Sequence, residues 1–259
     1  MAIKIGACGS IDSILSAQRA GYAYLETAFQ NIAKMSDEEF ETAKSIVDSA
    51  DIKVEACNGY FSPDITLIGD DIDFDFIEKY SRKGFERTKK LGCQVVVIGS
   101  GKARNIPENV PFEKGFKQFA KVVVFCADIA KDYGISVVVE PLNRKETNLI
   151  NTVFDGLELC KKANNDNVKA LADFYHVFMN DEGLDGILAA KGMLVHTHLA
   201  RPNEDRRTPK AEDEQTLRLW ANALKEIGYN GRISLECVFE SDYEADLKTV
   251  RKIMTVFED

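Results

Sequence analysis

The chain has 259 residues, of which 45% are hydrophobic and 29% are charged, and its formal net charge is -9. This length is typical of a (β/α)8 barrel that folds as one unit, and the composition excludes a disordered chain. Phosphate backbones are recognised by clustered Lys and Arg, so the negative charge argues against a nucleic-acid partner.

Two hydrophobic patterns alternate along the chain. Short apolar runs rich in Val and Ile predict buried strands, and longer stretches with an apolar residue every three or four positions predict amphipathic helices. The eight predicted strands cover residues 3–8, 24–28, 53–57, 94–99, 136–141, 170–174, 194–199 and 232–237. The eight predicted helices cover residues 11–20, 37–49, 74–91, 112–133, 153–163, 184–191, 211–227 and 243–257.

Glycines follow several predicted helices just before the next strand begins. Glycine readily adopts the left-handed conformation that closes a helix. Repeated strand and helix units predict a parallel sheet with right-handed crossovers, and eight of them close a (β/α)8 TIM barrel, here a single domain over residues 1–259. An open doubly wound sheet is the alternative, but no G-x-G-x-x-G follows the first strand. The closing glycines are Gly21, Gly92, Gly134, Gly192 and Gly228.

Neither a membrane span nor a secretory signal is predicted. The longest apolar run, residues 122–126, is far shorter than the ~20 residues that cross a bilayer. The N-terminal segment carries Lys4 and lacks the apolar stretch of a signal peptide. The six cysteines form no C-x-x-C pair and are predicted to be reduced core residues. We therefore expect a cytoplasmic protein.

Three predicted strands end at a carboxylate. Apolar residues lead directly to Glu140, Asp173 and Glu236 in strands five, six and eight. The active site of a (β/α)8 barrel lies at the C-terminal ends of its strands. A carboxylate beside a core is costly unless it is paired, so each of the three needs a cationic partner. A structural ion pair would explain any one of them alone.

All three histidines of the chain also lie at strand ends. His176 follows Asp173 by three residues, and the period of a strand puts His196 and His198 on the same face. Two Glu, one Asp and one His that converge from strands five to eight form an oxygen-rich site with one nitrogen. Such a site suits Mn²⁺, Mg²⁺, Co²⁺ or Zn²⁺, and we predict one divalent metal with Mn²⁺ as the first choice.

Four segments resemble motifs of the sugar isomerase/epimerase superfamily of xylose-isomerase-like TIM barrels. The resemblance covers essentially the whole chain and is closest to the ketose 3-epimerase branch, the tagatose/psicose 3-epimerase-like proteins. The run VEPLNRKET at residues 139–147, followed by Asn151-Thr152, is similar to the strand-five signature. Residues 173–176 resemble the D-x-x-H motif, residues 196–198 the H-x-H motif, and residues 234–236 the segment with the closing glutamate.

Carried over residue by residue, this resemblance implies three roles. The implied metal ligands are Glu140, Asp173, His198 and Glu236, and the implied acid/base pair is Glu140 and Glu236. The residues implied to hold substrate hydroxyls are Glu146, His176 and an arginine after strand seven. In the family that the chain resembles, this arginine precedes a proline by about three residues. The position of Pro209 therefore favours Arg206, while Arg201 and Arg207 stay open as alternatives.

The activity implied by the resemblance is a metal-dependent isomerase of a sugar or sugar phosphate. A metal on the carbonyl and hydroxyl oxygens would stabilise an enediolate, and glutamates on its two faces would invert a stereocentre. Proton transfer between C1 and C2 would instead give aldose–ketose isomerisation. An inosose-type dehydratase and a non-catalytic sugar-binding barrel are the alternatives. A homo-oligomer, either dimer or tetramer, is left open.

The loop after strand four, residues 99–105, resembles a loop of unassigned family members rather than that of the free-ketose epimerases. It contains small residues together with Lys102 and Arg104. These two cations are candidates for receiving a phosphate or another polar end of the substrate. The alternative is a tight turn with solvated basic side chains.

Overall fold

Eight parallel strands form a closed barrel in the computed structural model, which describes residues 3–203, 205–240 and 242–258. The strands are β1 (Lys4–Cys8), β2 (Tyr24–Ala28), β3 (Val54–Asn58), β4 (Val95–Ile98), β5 (Ser136–Val139), β6 (Val168–Asp173), β7 (Leu194–Leu199) and β8 (Arg232–Leu235). The first strand pairs with both β2 and β8. This closure confirms the predicted TIM barrel and excludes the open doubly wound sheet.

Helices surround the barrel, and ten α-helices lie within the described residues. They are α1 (Ile14–Arg19), α2 (Phe29–Lys34), α3 (Asp37–Asp48), α4 (Phe74–Leu91), α5 (Phe112–Lys131), α6 (Val153–Ala163), α7 (Phe174–Met179), α8 (Asp185–Ala189), α9 (Glu214–Glu226) and α10 (Tyr243–Ile253). Two of them, α2 and α7, were not predicted. Each begins directly at the end of a strand and has only six residues, too few for a helical period to stand out.

Local sequence signals mark both ends of these helices, and the glycines at their C-terminal ends were predicted. All five glycines predicted to close a helix have positive φ, from 65° at Gly134 to 103° at Gly92. At the other end, Ser36 and Glu39 form a capping box at the start of α3, and Thr152 and Asp155 form one at the start of α6. Each box satisfies backbone N–H groups that the first helical turn leaves unpaired.

The barrel interior changes from apolar to polar along its axis. A small cluster of Val95, Val97, Val138 and Leu171 fills the middle. The ring of Tyr24 lies over Gly6, where an added Cβ would come within 2.2 Å of the ring. Beyond this layer, buried carboxylates and histidines collect at the C-terminal ends of the strands. No helix in the described part of the chain has the length and apolar character to span a membrane.

Candidate functional site

The four predicted metal ligands meet at the C-terminal end of the barrel. Asp173 and His198 lie within β6 and β7, and Glu140 and Glu236 come directly after β5 and β8. One donor atom from each residue lies within 4.8 Å of the donor atoms of the other three. The order of the strands therefore brings together side chains that are up to 96 positions apart along the chain, from 140 to 236.

His198 is at the centre of this cluster. Its Nδ1 lies 3.0 Å from Glu140 Oε1 and 3.0 Å from Glu236 Oε2, and its Nε2 lies 3.0 Å from Glu26 Oε1. Burial would lower the pKa of His198, but the surrounding carboxylates, Glu236 foremost, raise it well above its usual value. The imidazole therefore serves as a cation among carboxylates when no other cation is bound.

Glu26 on β2 orients both histidines of the H-x-H segment. It is fully buried, and its two carboxylate oxygens lie 2.7 Å from His196 Nε2 and 3.0 Å from His198 Nε2. Although burial would raise the pKa of Glu26, the charges of His198 and His196 lower it well below its usual value. An ionised Glu26 accepts a hydrogen bond from each Nε2–H, which leaves Nδ1 of His198 as the nitrogen that faces the cluster.

The two glutamates of the cluster have different surroundings. Burial and the charge of Glu236 raise the pKa of Glu140. Burial would also raise the pKa of Glu236, but the positive charges of His198 and Arg206 outweigh it and lower that pKa. Asn58, at the end of β3, also donates a hydrogen bond of 2.8 Å from Nδ2 to Glu236 Oε1. The two carboxylates are therefore not chemically equivalent in the metal-free protein.

Of the three arginines considered after β7, only Arg206 reaches the cluster. Its Nη2 lies 3.0 Å from Asp173 Oδ2 and 2.6 Å from Glu236 Oε2, and its guanidinium lies over the ring of Tyr175. By contrast, the Arg201 guanidinium pairs with Glu212 and Asp213 on the far side of the loop. Arg207 is 45% exposed and has Asp205 and Glu240 as its acidic neighbours.

His176 points an unpartnered N–H group towards the cluster. Its Nδ1 accepts a hydrogen bond of 3.1 Å from the backbone N–H of Asn143, so the proton of the neutral ring is on Nε2. That Nε2 is buried, has no hydrogen-bond partner in the described structure, and lies 3.5 Å from Asp173 Oδ2. Glu146 lies further out on the rim, where it is exposed and accepts a hydrogen bond of 2.8 Å from Asn143 Nδ2.

Arg104 does not have the exposed position expected for a phosphate ligand. Its side chain is fully buried, and it donates hydrogen bonds to the backbone carbonyls of Ile98, Glu140 and Ile150 at 3.2, 2.8 and 3.3 Å. Burial lowers the pKa of Arg104 to about 10, so the guanidinium stays protonated at neutral pH. Arg104 therefore ties the ends of β4 and β5 together, while Lys102 of the same loop is exposed.

The cluster fits a divalent cation. Three carboxylates and one imidazole nitrogen form a hard donor set of the kind that holds Mn²⁺, Mg²⁺, Co²⁺ or Zn²⁺ in proteins. The hydrogen bond from His198 Nε2 to Glu26 resembles the carboxylate contact that orients a metal-binding imidazole. The negative charge is large enough that His198 and Arg206 both serve as counter-cations in the structure described here.

Two residues of this site, Glu26 and Asn58, were missed by the sequence analysis. Glu26 interrupts the buried run of β2, and this buried carboxylate in an otherwise uncharged strand was an available signal. Asn58 ends β3 with a polar side chain, as expected for a barrel site residue. An uncharged residue at one strand end is too common to stand out alone.

Residues 14–254 match a family of known proteins described as the xylose isomerase-like TIM barrel. The chain belongs to this family. The match covers nearly the whole barrel, and it confirms the resemblance that was inferred from the motifs.

This chain is also similar to individual curated proteins and solved structures. An L-ribulose 3-epimerase from a Methylomonas species is 28% identical over 243 residues, which are 89% of this chain and 79% of that protein. A 2-oxo-tetronate isomerase from Haemophilus influenzae is 32% identical over 153 residues, 56% of each protein. A D-psicose 3-epimerase crystallised with D-fructose superimposes with a TM-score of 0.84 at 19% identity, covering 99% of this chain and 100% of that one. This last likeness shows the shared fold.

Proposed function

We propose that this protein is a divalent-metal-dependent isomerase that removes and returns a proton next to a sugar carbonyl, most simply as a ketose epimerase. The observation that carries the proposal is the convergence of Glu140, Asp173, His198 and Glu236 within 4.8 Å at the C-terminal end of the barrel. The activities named for the two relatives that are similar in sequence, an epimerase and an isomerase, support the same class of reaction.

The four residues of the cluster are proposed to hold the metal, with Mn²⁺ as the first choice. When bound, such an ion would supply Lewis acidity that polarises a substrate carbonyl and makes the neighbouring C–H more acidic. The contact of Glu26 with His198 Nε2 favours ligation through Nδ1. The same contact keeps the imidazole ring from rotating away from the other three ligands.

Glu140 and Glu236 are proposed to move the proton. They follow strands on different sides of the ring, β5 and β8, so they approach a bound ligand from different directions. One carboxylate would take the carbon-bound proton and the other would give a proton to the opposite face of the enediolate, which inverts the stereocentre. Asn58, through its hydrogen bond to Glu236 Oε1, would fix the direction of the Glu236 carboxylate.

His176, Glu146 and Arg206 are proposed to hold the substrate. The buried Nε2–H of His176 is a donor without a partner in the described structure, and a substrate oxygen would satisfy it. Arg206 Nη2 borders the cluster within 3.0 Å of Asp173 and Glu236, next to the position of the reacting carbons. Glu146, exposed on the rim, is free to accept hydrogen bonds from substrate hydroxyls through the oxygen that Asn143 does not contact.

Solvent proton exchange tests this proposal without knowledge of the product. Ketoses, their phosphates and inososes are incubated with the Mn²⁺-loaded protein in deuterated water, and deuterium at carbon next to the carbonyl is read by NMR. We expect exchange with at least one ketose-type compound. Glu140→Gln and Glu236→Gln are expected to lower turnover by about 10²–10⁴-fold, as loss of a general base does.

If one glutamate removes the proton and the other returns a proton to the opposite face, the two Glu→Gln variants should behave differently. One Glu→Gln variant should still exchange hydrogen from one face of the substrate and yet form no epimer. Near-normal turnover in both variants would refute the two-carboxylate mechanism. Net loss of water from an inosose, without epimer formation, would instead establish the dehydratase alternative.

A further inference from the structure

The loops that follow β3, β4 and β5 enclose a cavity of about 330 Å³ on the C-terminal rim of the barrel. Phe61 from the first loop, Ser100 and Lys102 from the second, and Lys145 and Glu146 from the third line it. Three separate loops thus contribute to one enclosure, and two of its lining side chains are lysines.

This cavity adjoins the proposed catalytic site. Glu146 lines it and is also hydrogen-bonded to Asn143, whose side-chain amide lies 3.0 Å from His176 Nδ1. On the other side, the lining segment begins directly after Gly99, where an added Cβ would lie 2.4 Å from Glu140 Oε2. A ligand whose reacting carbons lie beside Glu140 therefore has this cavity next to it.

The charge of the cavity is positive on balance. Lys102 and Lys145 are its cations, and Glu146 is the one acidic residue among its lining residues. The ammonium group of Lys102 forms no ion pair or hydrogen bond with any part of the chain that the structure describes. Arg104, the other cation of this loop, is turned inwards and held by backbone carbonyls. The ammonium group of Lys102 is therefore available to contact a ligand or solvent.

Phe61 makes part of the cavity less accessible to water. Its ring is only 3% exposed, and Ser100 Oγ accepts a hydrogen bond of 3.0 Å from its backbone N–H, which joins the first and second loops. Electrostatic attraction strengthens where water is partly excluded. Lys102 and Lys145 are themselves exposed, and their ammonium groups are charge-assisted donors for an anion that lies against Phe61.

We propose that the natural substrate carries an anionic group, a phosphate or a carboxylate, at the end of its carbon chain remote from the reacting carbonyl, and that Lys102 and Lys145 bind this group. The inference rests on the proposed function, because it assumes that the carbonyl end lies beside Glu140. It narrows the substrate from sugars in general to acidic sugar derivatives.

The test compares three ketoses that differ only at C6. D-Fructose, D-fructose 6-phosphate and D-fructuronate are assayed by solvent deuterium exchange, and kcat/KM is determined for each. We expect kcat/KM for one or both anionic ketoses to exceed that for D-fructose, and the anion with the higher value shows whether the site prefers a phosphate or a carboxylate.

Lys102→Gln and Lys145→Gln are each expected to lower the ratio of anionic to neutral kcat/KM by about 10- to 100-fold, the usual effect of losing a charge-assisted hydrogen bond. Lys191→Gln, at an exposed position outside the cavity, is the matched control and should leave the ratio unchanged.

Calorimetry with inorganic phosphate gives a readout that does not depend on turnover. Phosphate should bind to the Mn²⁺-loaded wild-type protein and to Lys191→Gln, and less tightly to the two cavity variants. Equal use of neutral and anionic ketoses, or phosphate binding that survives in both cavity variants, would overturn the anionic subsite and leave the proposed isomerase intact. Absence of exchange with every ketose would refute the proposed function, and the phosphate measurement would then decide the subsite alone.

Discussion

Glu26 and His198 are joined by a hydrogen bond of 3.0 Å that is entirely buried inside the barrel. The bond runs from His198 Nε2 to Glu26 Oε1, while His198 Nδ1 faces Glu140 and Glu236 on the other side of the ring. The Glu26 carboxylate therefore fixes the orientation of the His198 ring relative to Glu140 and Glu236, the proposed ligands that follow β5 and β8. Although Glu26 does not itself face the cluster, a substitution of Glu26 is therefore expected to change metal binding.

Replacement of Glu26 by Gln should weaken metal binding. The amide has one acceptor oxygen where the carboxylate has two, so it cannot accept from both His196 and His198, and the His198 ring loses its fixed orientation. Loss of such an outer contact typically costs about 10–100-fold in metal affinity. The dissociation constant for Mn²⁺, measured by competition with a chelator, reports this effect.

Glu55→Gln is the matched control for that experiment. Glu55 is another carboxylate of the barrel, but it is only partly buried and pairs with Lys4 and Arg232 at the opposite, N-terminal end. We expect this variant to lose some stability and to keep its metal affinity. Equal losses of affinity in the two variants would mean that the Glu26 effect is a general loss of barrel stability.

Gly99→Ala should impair turnover with little effect on folding. An added Cβ would lie 2.4 Å from Glu140 Oε2, so the carboxylate must turn away, which a flexible side chain does at small cost in stability. A displacement of about 1 Å in a reacting group can lower the rate by on the order of 10²-fold. Gly183→Ala is the control, since no other part of the chain that the structure describes comes within 4 Å of its added Cβ. Rates of solvent exchange and thermal unfolding curves separate the two effects, and unchanged exchange in Gly99→Ala would argue against a catalytic Glu140.

Much of this architecture is predictable because each strand and helix carries a local signal. Apolar runs that stop at Glu140, Asp173 and Glu236 predicted both the strands and the side chains at their ends, and strand order then brings those ends together. The glycine that closes α4, Gly92, shows the same principle, since its positive φ follows from its place in the sequence.

Other features depend on contacts that no local pattern contains. The choice of Arg206 over Arg201 depends on where Glu212 and Asp213 lie, because these acids draw Arg201 away from the cluster. The loop that carries Arg104 has small polar neighbours like those of an exposed turn, yet the guanidinium is buried against the carbonyls of adjacent strand ends. In each case the position of the arginine side chain is set by a contact partner that the neighbouring residues in the sequence do not reveal.

Arg104→Met should destabilise the fold. The substitution keeps an extended side chain but removes the donors that serve the carbonyls of Ile98, Glu140 and Ile150. The carbonyls of Ile98 and Ile150 keep the backbone N–H groups of Glu140 and Leu142 as donors, so the Glu140 carbonyl is the buried acceptor that loses its donor, at a cost of about 1–3 kcal/mol. Arg218→Met, on an exposed face of α9 where the arginine pairs with Glu214, should change the free energy of unfolding by less than about 1 kcal/mol. Urea unfolding of both variants measures the difference, and similar midpoints would show that Arg104 is dispensable.

Arg206→Gln should separate substrate binding from metal binding. The guanidinium lies against Asp173 and Glu236, so its removal takes away a competing cation and should leave Mn²⁺ affinity at least as high as in the wild type. Loss of its charge-assisted contacts with substrate should lower kcat/KM by about 10–100-fold. Arg207→Gln alters an adjacent but exposed arginine and should keep near-normal kinetics. His198→Ala provides the reference for metal loss, because it removes a proposed ligand. If Arg206→Gln lost Mn²⁺ to the same extent as His198→Ala, Arg206 would be a structural support of the ligands rather than a substrate-binding residue.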